Sequence, residues 1–185
     1  MYRSQAWGDV FATDRSAGGL GGVLDNRTSQ SFARGAVHAR EGAGGLAGAS
    51  DMIEDSWCDG PVSTVEGGAS GLVHLPRDGQ PIERCWTASR VSTDAGAVAS
   101  ISTHPFEGAI FSSIAVLSQG ADPFVDPALV VLEDIVMVSS EALASPATFT
   151  AIGWDFDEVW TMSSVGGITA PDLRLNPRPA QAPTP

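Results

Sequence analysis

The chain repeats itself every 26 residues, and that period constrains the fold more than any single residue does. Ala17-Gly-Gly-Leu20, Ala43-Gly-Gly-Leu46 and Ala69-Ser-Gly-Leu72 carry the phrase, and a further step reaches Ala95-Gly-Ala-Val98. A fifth step lands on Ala121-Asp-Pro-Phe124, which keeps only the alanine and an apolar fourth residue. A second phrase, an aromatic followed five positions later by valine, runs between these: Phe32/Val37, Trp57/Val62, Trp86/Val91 and Phe111/Val116. The longest aromatic step spans the turn-like insert LPRDGQP. Two features sharing one period identify a solenoid. Glycine stands where helix centres would fall, and no sustained i, i+3, i+4, i+7 pattern occurs across residues 17–98, so helical solenoids are excluded. Short strands separated by glycine corners remain. The expectation is an all-β, right-handed parallel β-helix with rungs of about 26 residues stacked at ~4.8 Å and a modified C-terminal cap.

Three interior ladders follow from this register. Leu20, Leu46, Leu72 and Val98 form the first, Phe32, Trp57, Trp86 and Phe111 the second, and Val37, Val62, Val91 and Val116 the third. An aromatic and a valine five apart cannot share one face of a straight strand. A corner must separate them, and Gly35 and Gly60 mark it. Cys58 follows its aromatic while Cys85 precedes its own, so the two cysteines occupy different ladders and are expected to be free thiols.

AGGLAGAS…IEDSWCDGPVST and ASGLVHLPRDGQPIERCWTASRVST resemble the GLUG repeat of large bacterial and viral surface proteins. The glycine-leucine phrase, Ile53 and Ile82 ahead of the aromatic, the aromatic itself and the following valine carry the likeness. SSEALASPATFTAIGWDFDEVWTM…PDLR is similar to the segment that closes such arrays in adhesins, with Trp154, Asp155, Phe156, Val159, Trp160, Pro171 and Leu173 as the matching positions. The resemblance spans about residues 4–175. Ser89-Arg90 and Ile114-Ala115 depart from it, standing where the family has glycine before the valine's strand. It implies a right-handed β-helix with an adhesive or structural role, and no catalytic residue.

Four segments are expected: a degenerate first rung in partner contact over 1–16, GLUG-like rungs over 17–120, a divergent rung and cap over 121–175, and a proline-rich tail over 176–185. The opening SQAWGDVFATDRSAGGLGG aligns with SFARGAVHAREGAGGLAG, with Gln5 at the aromatic position. Such a rung leaves an unpaired edge that invites strand addition. The expected partners are therefore other structural chains or symmetry mates at this edge, with Trp7 in the contact, and a host-surface glycan. The net charge of −12, with ten arginines and no lysine, disfavours nucleic acid and anionic lipid. It suits a GC-rich genome or a salty habitat. No apolar run reaches the ~18 residues of a membrane span, and the opening residues lack a signal-peptide pattern.

Paired carboxylates are the first candidates for chemistry, because β-helices include many glycan-cleaving enzymes. Glu54/Asp55, Asp122/Asp126 and Asp155/Asp157/Glu158 are the candidates. Glycoside cleavage needs two carboxyls flanking one bond, whereas strand neighbours such as Glu54 and Asp55 point to opposite faces, and Asp155 and Asp157 suit turns. His38, His74 and His104 fall on different phrases without metal-ligand spacing. GGASGL is a ladder phrase rather than a nucleophile elbow, and GGLGG lacks the context of a dinucleotide fingerprint. No catalytic residue, cofactor or metal is expected. The expected function is a non-catalytic structural or attachment component of a surface fibre or spike, located in a virion as a tail fibre, tailspike or capsid-surface protein. The alternatives are a fragment of a secreted bacterial or archaeal adhesin at the cell surface, and a β-helix polysaccharide-degrading enzyme.

Overall fold

The structure, a computed structural model, describes residues 1–77, 79–104, 108–116, 130–133, 135–165 and 168–175. Short parallel strands stack coil on coil into a β-solenoid, with five parallel sheets running along the stack. The alanine-glycine sheet aligns Ala17, Ala43 and Ala69, so the coil length there is the 26 residues of the sequence period. The aromatic sheet aligns Gln5, Phe32, Trp57, Trp86, Ile114 and Val136. Beside it Thr28, Ile53, Ile82, Ile110 and Leu132 form an aliphatic row. The valine sheet aligns Val10, Val37, Val62 and Val91.

Two glycines of the phrase explain why it recurs. A β-carbon on Gly19 would lie 2.5 Å from the Gly45 carbonyl oxygen, and one on Gly45 would lie 2.2 Å from that of Gly71. Coils can therefore approach at this corner only where no side chain intervenes.

Three ladder positions differ from expectation because the coils are not of constant length. Val98 pairs with Ala69, not with Leu72. Its backbone belongs to the alanine-glycine row, and the next residue inside the coil is the buried Ile101, whose carbonyl accepts from Val73 N at 3.0 Å. The insert after Val73 lengthens that coil by three residues, and Ala95 matches the period only by coincidence of residue type. Phe111 pairs with Glu83 in the aliphatic sheet. Ile114 takes the place beside Trp86. Val116 likewise pairs with Val138 in the aromatic sheet rather than with Val91.

A further difference concerns direction. Cys58, the strand neighbour of Trp57, packs with Leu46, Ile53, Leu72, Ile82 and Ile101 inside the coil. Adjacent strand residues point to opposite faces, so Trp57 points outward, and with it Phe32 and Trp86. Their rings are stacked at 4.5 and 5.0 Å. They are nonetheless fully buried, because Leu143, Phe149, Trp154, Trp160, Ala170 and Leu173 cover them. Apart from Trp154, which lies between the last two, these come from a 3-10 turn (Ala142–Ala144), a short helix (Pro146–Thr150) and an antiparallel hairpin (Trp160–Val165 with Ile168–Leu173). Trp154 Nε1 donates to Ser112 O at 2.6 Å, and Trp160 Nε1 reaches Asp55 Oδ1 at 3.4 Å. The C-terminal segment therefore lies along the flank of the stack, over Phe32, Trp57 and Trp86, whereas the sequence predicts a cap at the solenoid end.

The corner before each aromatic is built from a recurrent left-handed residue. Arg3, Gln30, Asp55, Arg84 and Ser112 all have φ between 43° and 48°. This conformation costs a non-glycine residue about 1 kcal/mol or more, and the next residue offsets the cost. Ser31 Oγ donates to Ser29 O at 2.9 Å and Ser56 Oγ to Glu54 O at 2.7 Å, while each hydroxyl also accepts from the backbone N–H one coil earlier. Cys85 substitutes in this serine row: its Sγ donates to Glu83 O at 3.2 Å, and its N–H is received by Ser113 Oγ.

Candidate functional site

The first coil offers the most exposed chemistry. Gln5–Ala6, Val10–Ala12, Ala17–Gly18 and Gly21–Leu24 are each the outermost strand of their sheet. Tyr2, Phe11 and Val23 project from this coil with more than half of their surface exposed. Trp7 does not stand free. Gln5 occupies the aromatic register, and Trp7, two residues on, folds edge-on against Phe32 at 5.5 Å. Its Nε1 donates to Gln5 Oε1 at 3.2 Å, and the Arg34 guanidinium lies 5.4 Å from its ring centre. Half-buried, it terminates the aromatic stack.

Two grooves open here. Phe11, His38, Arg40 and Val65 line an apolar one of about 320 Å³. The larger, about 560 Å³, is lined by Met1, Tyr2, Arg27, Ser29, Gln30 and Glu54. Nothing in the repeat phrases singles out this second groove, since it arises from the small Ser29 standing between larger neighbours.

The carboxylates are held by arginines across coils. Arg27 pairs with Glu54, Arg34 with Asp59 at 2.9 Å, and Arg40 with Glu66 at 3.0 Å. Arg77 joins Asp25 and Asp51, and Arg84 joins Asp55 at 2.8 Å and Glu83 at 2.9 Å. The hydrogen bond to Asp55 is the main reason that the Arg84 guanidinium is held even more firmly protonated than usual. Glu54 and Asp55 do not face apart: the left-handed turn at Asp55 brings both toward Arg84, at 3.9 and 2.8 Å. Asp155 Oδ1 accepts from the backbone N–H groups of Asp157 and Glu158 at 2.9 Å each, which is turn chemistry. Asp122 and Asp126 lie outside the described residues.

His38 is exposed, with Nδ1 2.9 Å from Ser63 Oγ. His74 is buried against Gly42 and Gly68, with Nδ1 2.9 Å from Thr103 Oγ1, which in turn lies 3.0 Å from Ser70 Oγ. The ring of His104 meets it edge-on at 4.6 Å. Burial first, and the His104 charge second, lower the His74 pKa from 6.5 to about 4. The unfolded chain thus takes up a proton below pH 6.5 that the folded chain refuses until about pH 4. Stability is full above 6.5 and falls as the pH drops toward 4. The urea midpoint is expected to decline over this window, and His74→Gln should flatten that part of the profile.

Cys58 and Cys85 are both buried free thiols. Burial pushes Cys58 up to about 12 and Cys85 well above its ordinary value, so neither is a nucleophile in the folded chain. Among the described residues, no group of three or more His, Cys, Asp and Glu side chains converges in a way that would hold a metal ion. Among the described residues, no helix is long and apolar enough to cross a membrane.

No family model matches this chain, and neither a curated protein nor a solved structure is significantly similar to it.

Proposed function

We propose that this chain is a non-catalytic structural and attachment component of a surface fibre or spike, and that the fibre belongs to a virion. The observation that carries the reading is the use made of its charged side chains. The Glu54/Asp55 pair, one of the candidates for glycoside cleavage, is instead engaged by Arg27 and Arg84 as struts between neighbouring coils. Cross-coil pairs, serine rows and stacked rings are the chemistry of a rigid rod. The resemblance of the repeat to GLUG surface proteins points the same way. An antibody raised against the folded coils should decorate the outside of intact particles purified from the source. Labelling confined to the cytosolic fraction, or depolymerisation of a host polysaccharide by the purified chain, would overturn the reading.

The outermost strands of the first coil are the surface on which a second chain would add, either a symmetry mate or another structural protein. Their backbone donors and acceptors face outward in the direction of the stack, and Phe11 stands exposed beside them. Deleting residues 2–12 is expected to abolish assembly, seen as a shift to the monomer mass in light scattering. The remaining coils should keep their strand signal in circular dichroism.

A further inference from the structure

We propose that Asn26 carries an N-linked glycan, joined to the chain before the coil that follows it closes. The proposal concerns a covalent modification and stands independently of the attachment reading.

The starting point is a residue that the fold does not account for. Thr28 begins a row of the aliphatic sheet that continues as Ile53, Ile82, Ile110 and Leu132. It brings the one hydroxyl of that row into the core. The side chain is wholly buried, and Oγ1 has no hydrogen-bond partner among the described residues. A buried hydroxyl without a partner costs stability, and valine, of nearly the same shape, would fill the site without that cost. Packing gives no reason for threonine here.

The residue two positions earlier supplies one. The chain has two asparagines, Asn26 and Asn176, and Asn176 is followed by proline. Asn26-Arg27-Thr28 is an acceptor signal for N-glycosylation: asparagine, any residue but proline, then serine or threonine. Asn26 is exposed at the corner after the strand Gly21–Leu24, in left-handed backbone with φ of 65°. That conformation suits asparagine in its own right, so the argument rests on Thr28. The Asn26 N–H donates to Asp51 Oδ2 at 2.6 Å and fixes the corner, while the carboxamide makes no hydrogen bond among the described residues. A sugar on Nδ2 would extend into solvent without breaking a contact.

Burial fixes the order of events. A transferase must reach the Asn26 carboxamide and the Thr28 hydroxyl together, and the folded chain hides the second. Transfer therefore precedes folding of this coil. Asn26 Nδ2 bonds to the anomeric carbon of a glycosyl diphosphate, and the bond from that carbon to the phosphate oxygen breaks. The diphosphate leaves with the electron pair, and the amide gives up one proton. The donor is nucleotide-linked in solution or lipid-linked at a membrane.

Peptide mass mapping of the protein taken from its source should find a hexose or N-acetylhexosamine increment on Asn26. Produced in the same source, Asn26→Gln and Thr28→Val should each lose the increment completely, and Thr28→Ser should keep it. Thr28→Val should leave the urea midpoint of the unglycosylated chain unchanged or raise it, which separates loss of the acceptor signal from loss of the fold. Chain translated in an extract of the source should take up sugar, whereas folded chain added to that extract should not. Uptake from a nucleotide sugar in the soluble fraction, or from the membrane fraction alone, supports the proposal and names the donor. Unmodified Asn26 in the native protein, an increment that survives Thr28→Val, a lower midpoint for Thr28→Val, or equal uptake by the folded chain would each overturn it.

Discussion

Replacing Trp57 by alanine is expected to destabilise the chain by about 3–5 kcal/mol, the usual cost of emptying a large aromatic site. The ring stacks between Phe32 and Trp86 and is wholly buried, so no neighbour can relax into the space without breaking one of those contacts. The loss should be uneven along the chain. Trp57 is part of the floor on which Leu143, Phe149, Trp160 and Leu173 lie, so amide exchange in the hairpin Trp160–Val165 and Ile168–Leu173 should accelerate more than exchange in the valine sheet. Urea unfolding gives the total, and exchange measured by mass spectrometry gives the distribution. Equal acceleration everywhere would mean that the segment is not docked on these rings.

Gly45→Ala is expected to cost about 3 kcal/mol, at the upper end for an added methyl group. Its β-carbon would meet the Gly71 carbonyl oxygen at 2.2 Å and Cys58 Sγ at 2.9 Å, and the first of these is backbone fixed by the neighbouring coil. Gly8→Ala is the matched control. A β-carbon there meets nothing within 4 Å, so stability should change by no more than about 0.5 kcal/mol. Thermal unfolding of the two variants side by side separates close approach between coils from the general effect of stiffening the unfolded chain.

Fold class was legible in the sequence because the determinants of a solenoid are local and repeated. The alanine-glycine phrase encodes the corner where coils touch, and its 26-residue spacing is the coil length itself. What the sequence hid falls into three physical kinds. A change of coil length moves every later register, and Ala95 masked the change by supplying the expected residue type at the wrong place, so that Val98 was placed with Leu72 instead of Ala69. The direction of the aromatic row was hidden because burial of a tryptophan does not reveal which face buries it. Remote residues such as Leu143, Phe149, Trp154, Trp160, Ala170 and Leu173 make the outward face a second core. The left-handed corner carries arginine, glutamine, aspartate and serine instead of glycine, so it gives no turn signal, although the serine that follows it recurs. The groove at Ser29 was invisible for a related reason. It is a property of three residues on three coils, and a motif read along one strand does not contain it.

The arginine–carboxylate pairs give each junction between coils its own identity. In a chain whose repeats are nearly interchangeable, a coil could settle one storey too high, and the apolar rows would hardly object. Arg27 meets Glu54, Arg34 meets Asp59 and Arg40 meets Glu66 at one junction, whereas Arg84 meets Asp55 at the next, with the signs reversed along the stack. Displacing the second coil by one storey would set Arg34 against the neutral Ala88 in place of Asp59, although Arg27 would still meet an acid in Glu83, which stands in register with Glu54. Exposed pairs of this kind each contribute little to stability, about 0–1 kcal/mol, yet together they act as an assembly key. A tandem protein made by duplicating one of these coils would lose that key while keeping its core.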